Sequence, residues 1–534
     1  MKKISVYSTF LCCLLLTGSL FAQKLEGSVT TGPYTVRNSG AFETPKKFVI
    51  RDPLTFPDGV LQISARKLQF NFQWFSNDLK KVKENTVDAG TKFNESVNLW
   101  GFVKLKTKVY CFGREVFRET ENEGITALEI DPQSLDIKGS AQNLYKSSWK
   151  VQYGEHILSV CENRSKFMFR YRVVNKEKSE KYGKALVGVN VFDENLERLW
   201  GGELEMPYSS LKMSTLGYTL TNDGKICMLA KVYDGEDRKD GARDKSKPNY
   251  HYEVIIYEKG GATPKILAVN IDRYFNKEAY IYQDKTGNMM VAGFYGHEAG
   301  DAVDGAYLLP LDIDKATTSP VVGGFYEIPV DFVKSFMSER QLNKAAKKEE
   351  KGIDPDLTLS NLVIRDIYNM PDGSTKIVSE IYYVVEHVTT DSKGNMRTHY
   401  SYVYRDVVIM NLKGGKLDWI RKIPKYTETG GNTGLLSINT MVTGNDLHIF
   451  WKDKPENSLV PDGEKLSKFG GTNGMLRACT VMPNGELKKY DVVDVEQYDT
   501  RFSLREFTNN GNNSLMNTER SKKKNVIFAI DVKP

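Results

Sequence analysis

The sequence predicts an all-β protein folded as a β-propeller of about eight four-stranded blades. Three observations support this prediction. Short runs rich in Val, Ile, Phe and Tyr alternate with turns rich in Gly, Asn and Asp along almost the whole chain. The runs recur with a period of about 60 residues, which indicates a propeller or a solenoid. The middle strands, such as Val254 to Tyr257, are continuous apolar runs, as expected for strands covered on both faces.

Tight turns mark the first hairpin in six of the eight repeats. Asn, Asp and Gly tolerate the positive φ that such turns require. Each turn precedes an apolar strand, as Asn222-Asp223-Gly224 precedes Ile226 to Val232. Turns of this kind occur at 56–59, 221–224, 285–288, 370–373, 442–445 and 509–511.

A second hairpin follows in each repeat, with an apolar strand, a polar turn and a strand that begins with a hydrophobic residue. One copy is Val187 to Phe192 followed by Asp193-Glu194-Asn195-Leu196. The repeat therefore has strands a, b, c and d with tight turns at a–b and c–d. Units lie near 47–85, 96–142, 154–207, 216–271, 278–329, 361–425, 436–495 and 501–534. These units predict eight blades, with seven as the alternative count.

The last unit has only three evident strands, and residues 28–36 belong to no unit. We therefore expect an N-terminal strand to complete the last blade, which also removes an exposed sheet edge. Residues 23–534 would then form a single propeller domain. Tandem sandwiches and other all-β arrangements remain alternatives.

The N-terminus predicts an export signal over residues 1–22. Lys2 and Lys3 precede the apolar run Ile4 to Leu20, and Ala22 is a small residue at its exit. We expect cleavage after Ala22 and a periplasmic or extracellular protein. A membrane anchor is the alternative, although Thr17 to Ser19 interrupt the run. No later segment approaches the length of a membrane span.

Every long insertion falls on one face of the predicted disc. In a four-stranded blade the b–c loops and the d–a crossings share a face. The long b–c loops are 175–183, 234–249, 389–397 and 452–474, and the long crossings are 330–351 and 426–434. Variable loops on a fixed scaffold usually carry function, so we expect the binding surface on this face.

The crossing 330–351 predicts the one convincing helix of the chain. Its first turns are apolar, and its tail from Lys344 is almost wholly charged. We expect a lid whose first turns pack on the disc, with a partner-docking helix as the alternative. The candidate partner-binding residues are Phe332, Phe336, Met337 and Arg340.

Composition and motifs argue against several classes of protein. Apolar residues make up 40% of the chain and aromatic residues 11%, which is ample for a large core. The net charge of +6 is dispersed without a basic stripe, so we expect no nucleic-acid partner. Four cysteines remain after cleavage. Their spacing matches no disulfide framework, and their apolar neighbours indicate buried core residues, with one disulfide left open. They are Cys111, Cys161, Cys227 and Cys479.

No cofactor, metal or catalytic residue is predicted. None of the six histidines has metal-binding spacing, although a hairpin would bring His387 and His399 together near Asp391. The chain also lacks a GxSxG elbow and a phosphate-binding loop. A pair of glycosidase carboxylates remains an alternative, because such a pair is defined by the distance between the two carboxyl groups, which the sequence alone does not give.

The sixth unit contains the segment Arg405-Asp406-Val407-Val408-Ile409-Met410-Asn411-Leu412, followed by Leu417-Asp418-Trp419-Ile420. Closing strands end in Met206-Pro207, Ile328-Pro329 and Ile423-Pro424. With the export signal, these features resemble uncharacterised exported propeller-like proteins of Bacteroidota-type bacteria. The motifs are structural, so the resemblance implies a fold and no catalytic residue.

We therefore expect a non-enzymatic binding or scaffold propeller that presents its insertion-rich face to a protein or a glycan. The alternative is an enzyme that processes glycans or peptides at the central channel on that face. Two close carboxylates in a channel pocket would favour the enzyme.

Overall fold

The computed structural model describes residues 28–533, and the predicted signal at 1–22 lies outside this range. Within the range it leaves out 94–95, 149–151, 174–182, 236–246, 262, 270, 272–273, 316, 319–323, 353–354, 356, 391, 393, 432–435, 462, 472–473, 499, 501, 510, 512 and 522–523. Much of the b–c loops predicted at 175–183 and 234–249 is therefore not described.

Eight antiparallel sheets of four or five strands follow one another along the chain, which confirms the predicted propeller of eight blades. The first two strands, β1 (Ser28–Thr31) and β2 (Tyr34–Asn38), belong to the last sheet. Blade 1 contains β3 (Val49–Ile50), β4 (Leu54–Phe56), β5 (Gly59–Arg66), β6 (Gln69–Phe75) and β7 (Lys81–Asp88). Blade 2 contains β8 (Ser96–Leu105), β9 (Lys108–Phe117), β10 (Asn122–Asp131) and β11 (Asp136–Ser148).

Blades 3 to 5 follow the same order. Blade 3 contains β12 (Gln152–Val160), β13 (Lys166–Val173), β14 (Lys184–Asp193) and β15 (Arg198–Ser209). Blade 4 contains β16 (Met213–Leu220), β17 (Ile226–Tyr233), β18 (Tyr250–Tyr257) and β19 (Lys265–Val269). Blade 5 contains β20 (Phe275–Gln283), β21 (Met289–Gly296), β23 (Gly305–Asp312), β24 (Thr317–Thr318) and β25 (Phe325–Glu327), and β22 (Ala302–Val303) pairs separately with β26 (Leu359–Ser360).

Blades 6 to 8 complete the ring. Blade 6 contains β27 (Leu362–Asn369), β28 (Thr375–Thr390), β29 (Met396–Lys413), β30 (Lys416–Ile423) and β31 (Thr427–Thr429). Blade 7 contains β32 (Asn439–Thr443), β33 (Asp446–Asp453), β34 (Met475–Val481) and β35 (Leu487–Asp494). Blade 8 contains β36 (Thr508–Asn509), β37 (Ser514–Ser521) and β38 (Lys524–Val532), followed in space by β2 and β1.

The blades are held together by eight hydrophobic clusters, and each cluster draws buried residues from two successive sheets. One of them joins Phe75 of blade 1 to Ile527 of blade 8 and so closes the ring. Middle strands are buried on both faces, as in Ile226–Tyr233, where every residue is buried. Continuous burial explains why these strands are apolar throughout. A row of separate sandwiches would not share cores in a closed circle.

The last blade takes its outer strands from the N-terminal end of the described chain. β2 pairs antiparallel with β38, with Tyr34 opposite Val532. The side chain of Tyr34 is fully buried. Its hydroxyl lies 2.7 Å from the Thr480 Oγ1 and 3.0 Å from the His448 Nδ1, both in blade 7. The strand therefore joins blades 7 and 8 as well as pairing with β38.

We expect acid to weaken the protein through His448. Burial lowers the pKa of His448 to about 4, whereas an unfolded histidine has a pKa of about 6.5. As the pH falls from 6.5 to 4, the unfolded chain binds a proton that the folded chain excludes, so the free energy of unfolding falls. Denaturant titrations at pH 7.0 and 4.5 should show that His448→Gln removes about 2–3 kcal/mol of that loss. An unchanged loss would contradict this role of the buried imidazole.

The crossing between blades 5 and 6 is helical, but it is two helices and not one continuous helix. Helix α1 spans Val330–Lys334 and α2 spans Glu339–Glu349. Ser338 caps α2, and it forms a capping box with Gln341 that supplies partners for the first free N–H groups. This second N-terminus explains the break at 335–338. Within the described part of the chain, neither helix has the length or apolar character needed to cross a bilayer.

Candidate functional site

Among the described residues, the longest strands lie in blade 6, and they project beyond the sheet. β28 has 16 residues and β29 has 18, whereas the corresponding strands of blade 7 have eight and seven. They stay paired from Tyr382–Tyr404 up to Thr390–Met396. We call residues 382–404 the blade 6 arm. Its Val, Tyr and Thr residues favour strands, so the predicted b–c loop at 389–397 is shorter than expected.

The base of the blade 6 arm is fixed by aromatic packing. Tyr382 and Tyr404 lie opposite each other, with ring centroids 4.9 Å apart. Together with Tyr402 they pack against Leu436 and Phe469 of the blade 7 insertions. β31 also pairs with β29 at this level. The base is therefore a rigid part of the insertion-rich face.

The upper part of the blade 6 arm continues the same face without cover. Side chains alternate along a strand, so Val384, Val388 and Tyr400 share the face of Tyr382. Their exposed fractions are 46%, 51% and 46%, and that of Met396 at the tip is 73%. Exposed Glu386, opposite Tyr400, lies between Val384 and Val388 on this face, so the uncovered apolar side chains surround one carboxylate. Exposed apolar side chains grouped in this way make the arm a candidate interaction site.

A pocket lies beside the base of the arm, and we call it the blade 6 pocket. Its volume is about 280 Å³. The linker between α1 and α2, the outer strands of blade 6 and the b–c loop of blade 7 meet there. Its lining includes Ser335, Met337, Arg405, Asp406, Tyr426 and Lys465.

The blade 6 pocket is basic. The Arg405 guanidinium lies 4.5 Å from the centre of the Tyr426 ring. Its Nε is buried, and no described residue accepts a hydrogen bond from it. Lys465 is exposed at the rim. Burial raises the pKa of Asp406, which weakens the acidic contribution to the pocket.

The floor of the pocket rests on a buried ion pair. Lys425 Nζ lies 2.7 Å from Glu380 Oε1, and both side chains are fully buried. Burial lowers the pKa of Lys425, although Glu380 opposes this. Glu380 also accepts hydrogen bonds from the Arg365 Nε at 2.9 Å and the Ser437 Oγ at 2.7 Å. These bonds fix the crossing that begins at Lys425 against two blades.

The four candidate residues from the sequence do not form one surface. Phe332 and Phe336 are half-buried, pack against the core shared by blades 5 and 6, and have ring centroids 5.3 Å apart. Met337 lines the blade 6 pocket, as does Phe336. Arg340 is exposed on α2 and is not among the described lining residues. The first turns therefore pack on the disc, as the lid hypothesis describes.

Stability measurements should separate these residues. We expect Phe332→Ala and Phe336→Ala each to lower the free energy of unfolding by about 1–3 kcal/mol, because each removes a core contact. Arg340→Ala should change it by less than about 0.5 kcal/mol, as for most surface substitutions. Urea denaturation of the three variants measures the difference. Equal effects at Phe336 and Arg340 would contradict the packing of residues 332–336 on the disc.

The two histidines of the arm lie directly opposite each other. His387 pairs with His399, and the His387 Nε2 lies 3.0 Å from the Ser401 Oγ. Asp391 lies outside the described residues. Among the residues that are described, no group of three His, Cys, Asp or Glu side chains is placed to hold a metal ion.

Sequence reasoning missed Arg405, Lys465 and the aromatic base of the arm. The available signal was Tyr or Val at 382, 384, 388, 400, 402 and 404, which is every second residue except Glu386 and predicts a largely apolar face on a long hairpin. The pocket itself had no local signal, because its walls come from three separate insertions.

Two further pockets lie at inner strands, between blades 2 and 3 and between blades 3 and 4. Their volumes are about 520 and 470 Å³. Trp100, Arg114 and His156 line the first, and Arg170 and Tyr218 line the second. The described lining residues of both pockets include no carboxylate, so the acid pair of the enzyme hypothesis is not found in either.

No family model and no curated protein matches the chain. Solved structures with a similar fold include the WD40 domain of SCAP from fission yeast, with 9% identity and a TM-score of 0.35 over 94% of this chain and 99% of that one. The β-propeller domain of the Trilobed protease from Pyrococcus furiosus has 12% identity and a TM-score of 0.29, over 72% of this chain and 96% of its own. A protein of unknown function from the Bacteroidota bacterium Dyadobacter fermentans has 9% identity and a TM-score of 0.31, over 82% and 96%. These neighbours share the propeller fold, and the function of this chain must be argued from its own residues.

Proposed function

We propose that this chain is a non-enzymatic binding propeller, exported to the periplasm or the cell exterior, that docks a protein on its insertion-rich face. The exposed apolar face of the blade 6 arm carries this proposal. The arm is anchored by Tyr382 and Tyr404 at its base, while Val384, Val388 and Met396 stay uncovered above. The packed base orders the start of the arm before binding, and a surface that is ordered in advance loses less entropy when it binds.

The side chains favour a protein over a glycan. Val384, Val388 and Met396 offer dispersion contacts and no hydrogen bonds to sugar hydroxyls. Tyr and Met are enriched in the cores of protein interfaces. Leu459, in the b–c loop of blade 7, adds an apolar side chain with an exposed fraction of 85% to the same face.

The carboxyl groups near the inner strands support a binding role over an enzymatic one. Burial raises the pKa of Glu278, Asp366 and Glu519. Each already accepts hydrogen bonds within the fold. Glu278 accepts from the Ile364 N–H, Asp366 from the Thr440 hydroxyl and Glu519 from the Asn517 amide. The bonds of Glu278 and Asp366 join neighbouring blades, and that of Glu519 lies within one strand of blade 8, so all three carboxyls have structural partners.

Site-specific photo-crosslinking tests the proposal. p-Benzoylphenylalanine would replace Met396 at the arm tip in one variant and Lys285 in an a–b turn of the opposite face in the control, both expressed in the organism that makes the protein. We expect a discrete protein adduct at position 396 and none at 285. Replacing residues 386–400 by Asn-Gly, which leaves Val385 and Ser401 as the flanking pair, should abolish binding of that partner.

Two results would contradict the proposal. One is adduct formation at 285 and not at 396. The other is a glycan ligand whose binding is unchanged when the arm is shortened.

A further inference from the structure

We infer that the blade 6 pocket binds a carboxylate carried by the protein that docks on the arm, so this inference rests on the proposed function. The pocket would take a Glu or Asp side chain or a C-terminal carboxylate. The partner segment would therefore be acidic at one end and apolar at the other.

Arg405 is placed to bind such a group. Its guanidinium is planar and stacks over Tyr426, so its orientation is fixed before a ligand arrives. No described side chain forms an ion pair with it, and its Nε has no described hydrogen-bond acceptor. A carboxylate could accept two parallel N–H bonds from this group, which is the strongest common form of hydrogen-bonded ion pair.

The other charges around the pocket leave a positive balance. Lys422 donates to the Ser335 carbonyl at 2.7 Å, and Lys425 is paired with Glu380. Glu428, beside the arm base, already accepts from Tyr426 at 3.0 Å and lies 3.3 Å from Lys468. The exposed Lys465 at the rim is free to approach an incoming anion, and exposed Glu464 lies next to it.

The size of the pocket selects a small anionic group. A volume of about 280 Å³ is at the lower end of ligand pockets, so it fits one side chain or chain terminus and not a whole macromolecule. The exposed Glu464 in its wall disfavours a doubly charged phosphate more than a singly charged carboxylate.

The pocket lies at the base of the arm, on the side of β29 opposite to the Tyr404 ring. Arg405 follows Tyr404 directly on β29, and Met396 lies nine residues before it. At about 3.3 Å per residue, the distance along the strand is about 30 Å. An extended segment of about nine residues would reach from the pocket to the arm tip.

Fluorescence polarisation with two labelled probes, hexaglutamate and hexaglutamine, tests the inference on the full chain. We expect hexaglutamate to bind at least ten-fold more tightly. Arg405→Gln should weaken its binding at least ten-fold, and Arg405→Lys should give a smaller loss because the charge remains without the planar fork. Lys465→Glu, in an exposed loop where folding is not at risk, should weaken it at least three-fold. The matched control Arg340→Gln removes the same charge outside the pocket and should have no effect.

Equal binding of both peptides, no binding of hexaglutamate, or an equal loss in Arg340→Gln would overturn the inference. A further result would also overturn it, namely that hexagalacturonate binds in an Arg405-dependent way while hexaglutamate does not bind. The carboxylate would then come from a glycan. Crosslinking at position 396 decides the proposed function separately. An adduct at position 396 without preference for hexaglutamate would contradict the carboxylate site but would still support docking on the arm.

Discussion

Replacing Glu380 by alanine is expected to lower the free energy of unfolding by about 3–5 kcal/mol. The side chain is fully buried and accepts hydrogen bonds from Lys425, Arg365 and Ser437. Without it, Lys425 keeps a buried ammonium group that lacks its hydrogen-bonded counter-ion. The cost of such an uncompensated charge is much greater than the net contribution of the intact pair. The midpoint of urea denaturation measures the loss.

The matched control is Glu456→Ala, because Glu456 is an exposed glutamate on the same face of the disc. It should change the free energy of unfolding by less than about 0.5 kcal/mol. Similar losses in the two variants would show that the Glu380 cluster is open to water in solution, which contradicts its burial.

We expect Tyr34→Ala to lower the free energy of unfolding by about 3–5 kcal/mol, as other truncations of large aromatic side chains in a core do. Tyr34 is fully buried between blades 7 and 8, and its hydroxyl contacts Thr480 and His448. Its loss should loosen β2 from β38 and expose a sheet edge. Denaturant titration measures the cost, and limited proteolysis should cut the variant before residue 40 faster than the wild type.

Tyr34→Phe provides the control for Tyr34→Ala. It keeps the ring and removes the hydroxyl, so it should lower the free energy of unfolding by about 1–2 kcal/mol, because the buried partners of the hydroxyl lose a hydrogen bond. If Tyr34→Ala unfolds like the wild type and its N-terminal strand is cut no faster, the closure of the ring through β2 is wrong.

The architecture was predictable because turn chemistry and strand burial are local. The c–d hairpins lie where the sequence predicts them, but the position of one leucine in each of three turns differs from the prediction. Leu79, Leu135 and Leu196 each follow a polar turn, and the sequence indicates that they begin the next strand. They sit instead within the turns, at φ of 59°, 58° and 70°, and are buried. Burial of a leucine contributes about 1.5–3 kcal/mol, which offsets the roughly 1–2 kcal/mol cost of this backbone conformation.

The site was less predictable because its parts are far apart in the sequence. Glu380 and Lys425 look like surface residues when each is read alone, and their burial depends on a partner 45 residues away. The break between α1 and α2 depends on the capping box at Ser338, which lies inside a pattern that otherwise predicts one continuous helix. Arg405 belongs to a strand-like run, and only the crossing at Tyr426 and the loop at Lys465 convert it into a pocket residue.

Hydrogen exchange of the free protein and of its complex with the crosslinked partner tests the docking surface most directly. We predict slower exchange in the complex at 383–390 and 396–402 of the arm and at 463–466 beside the pocket. Exchange in the opposite-face turns 284–288 and 370–374 should be unchanged. Protection confined to those turns, or absent from the arm, would contradict the proposal that this propeller binds its partner on the insertion-rich face.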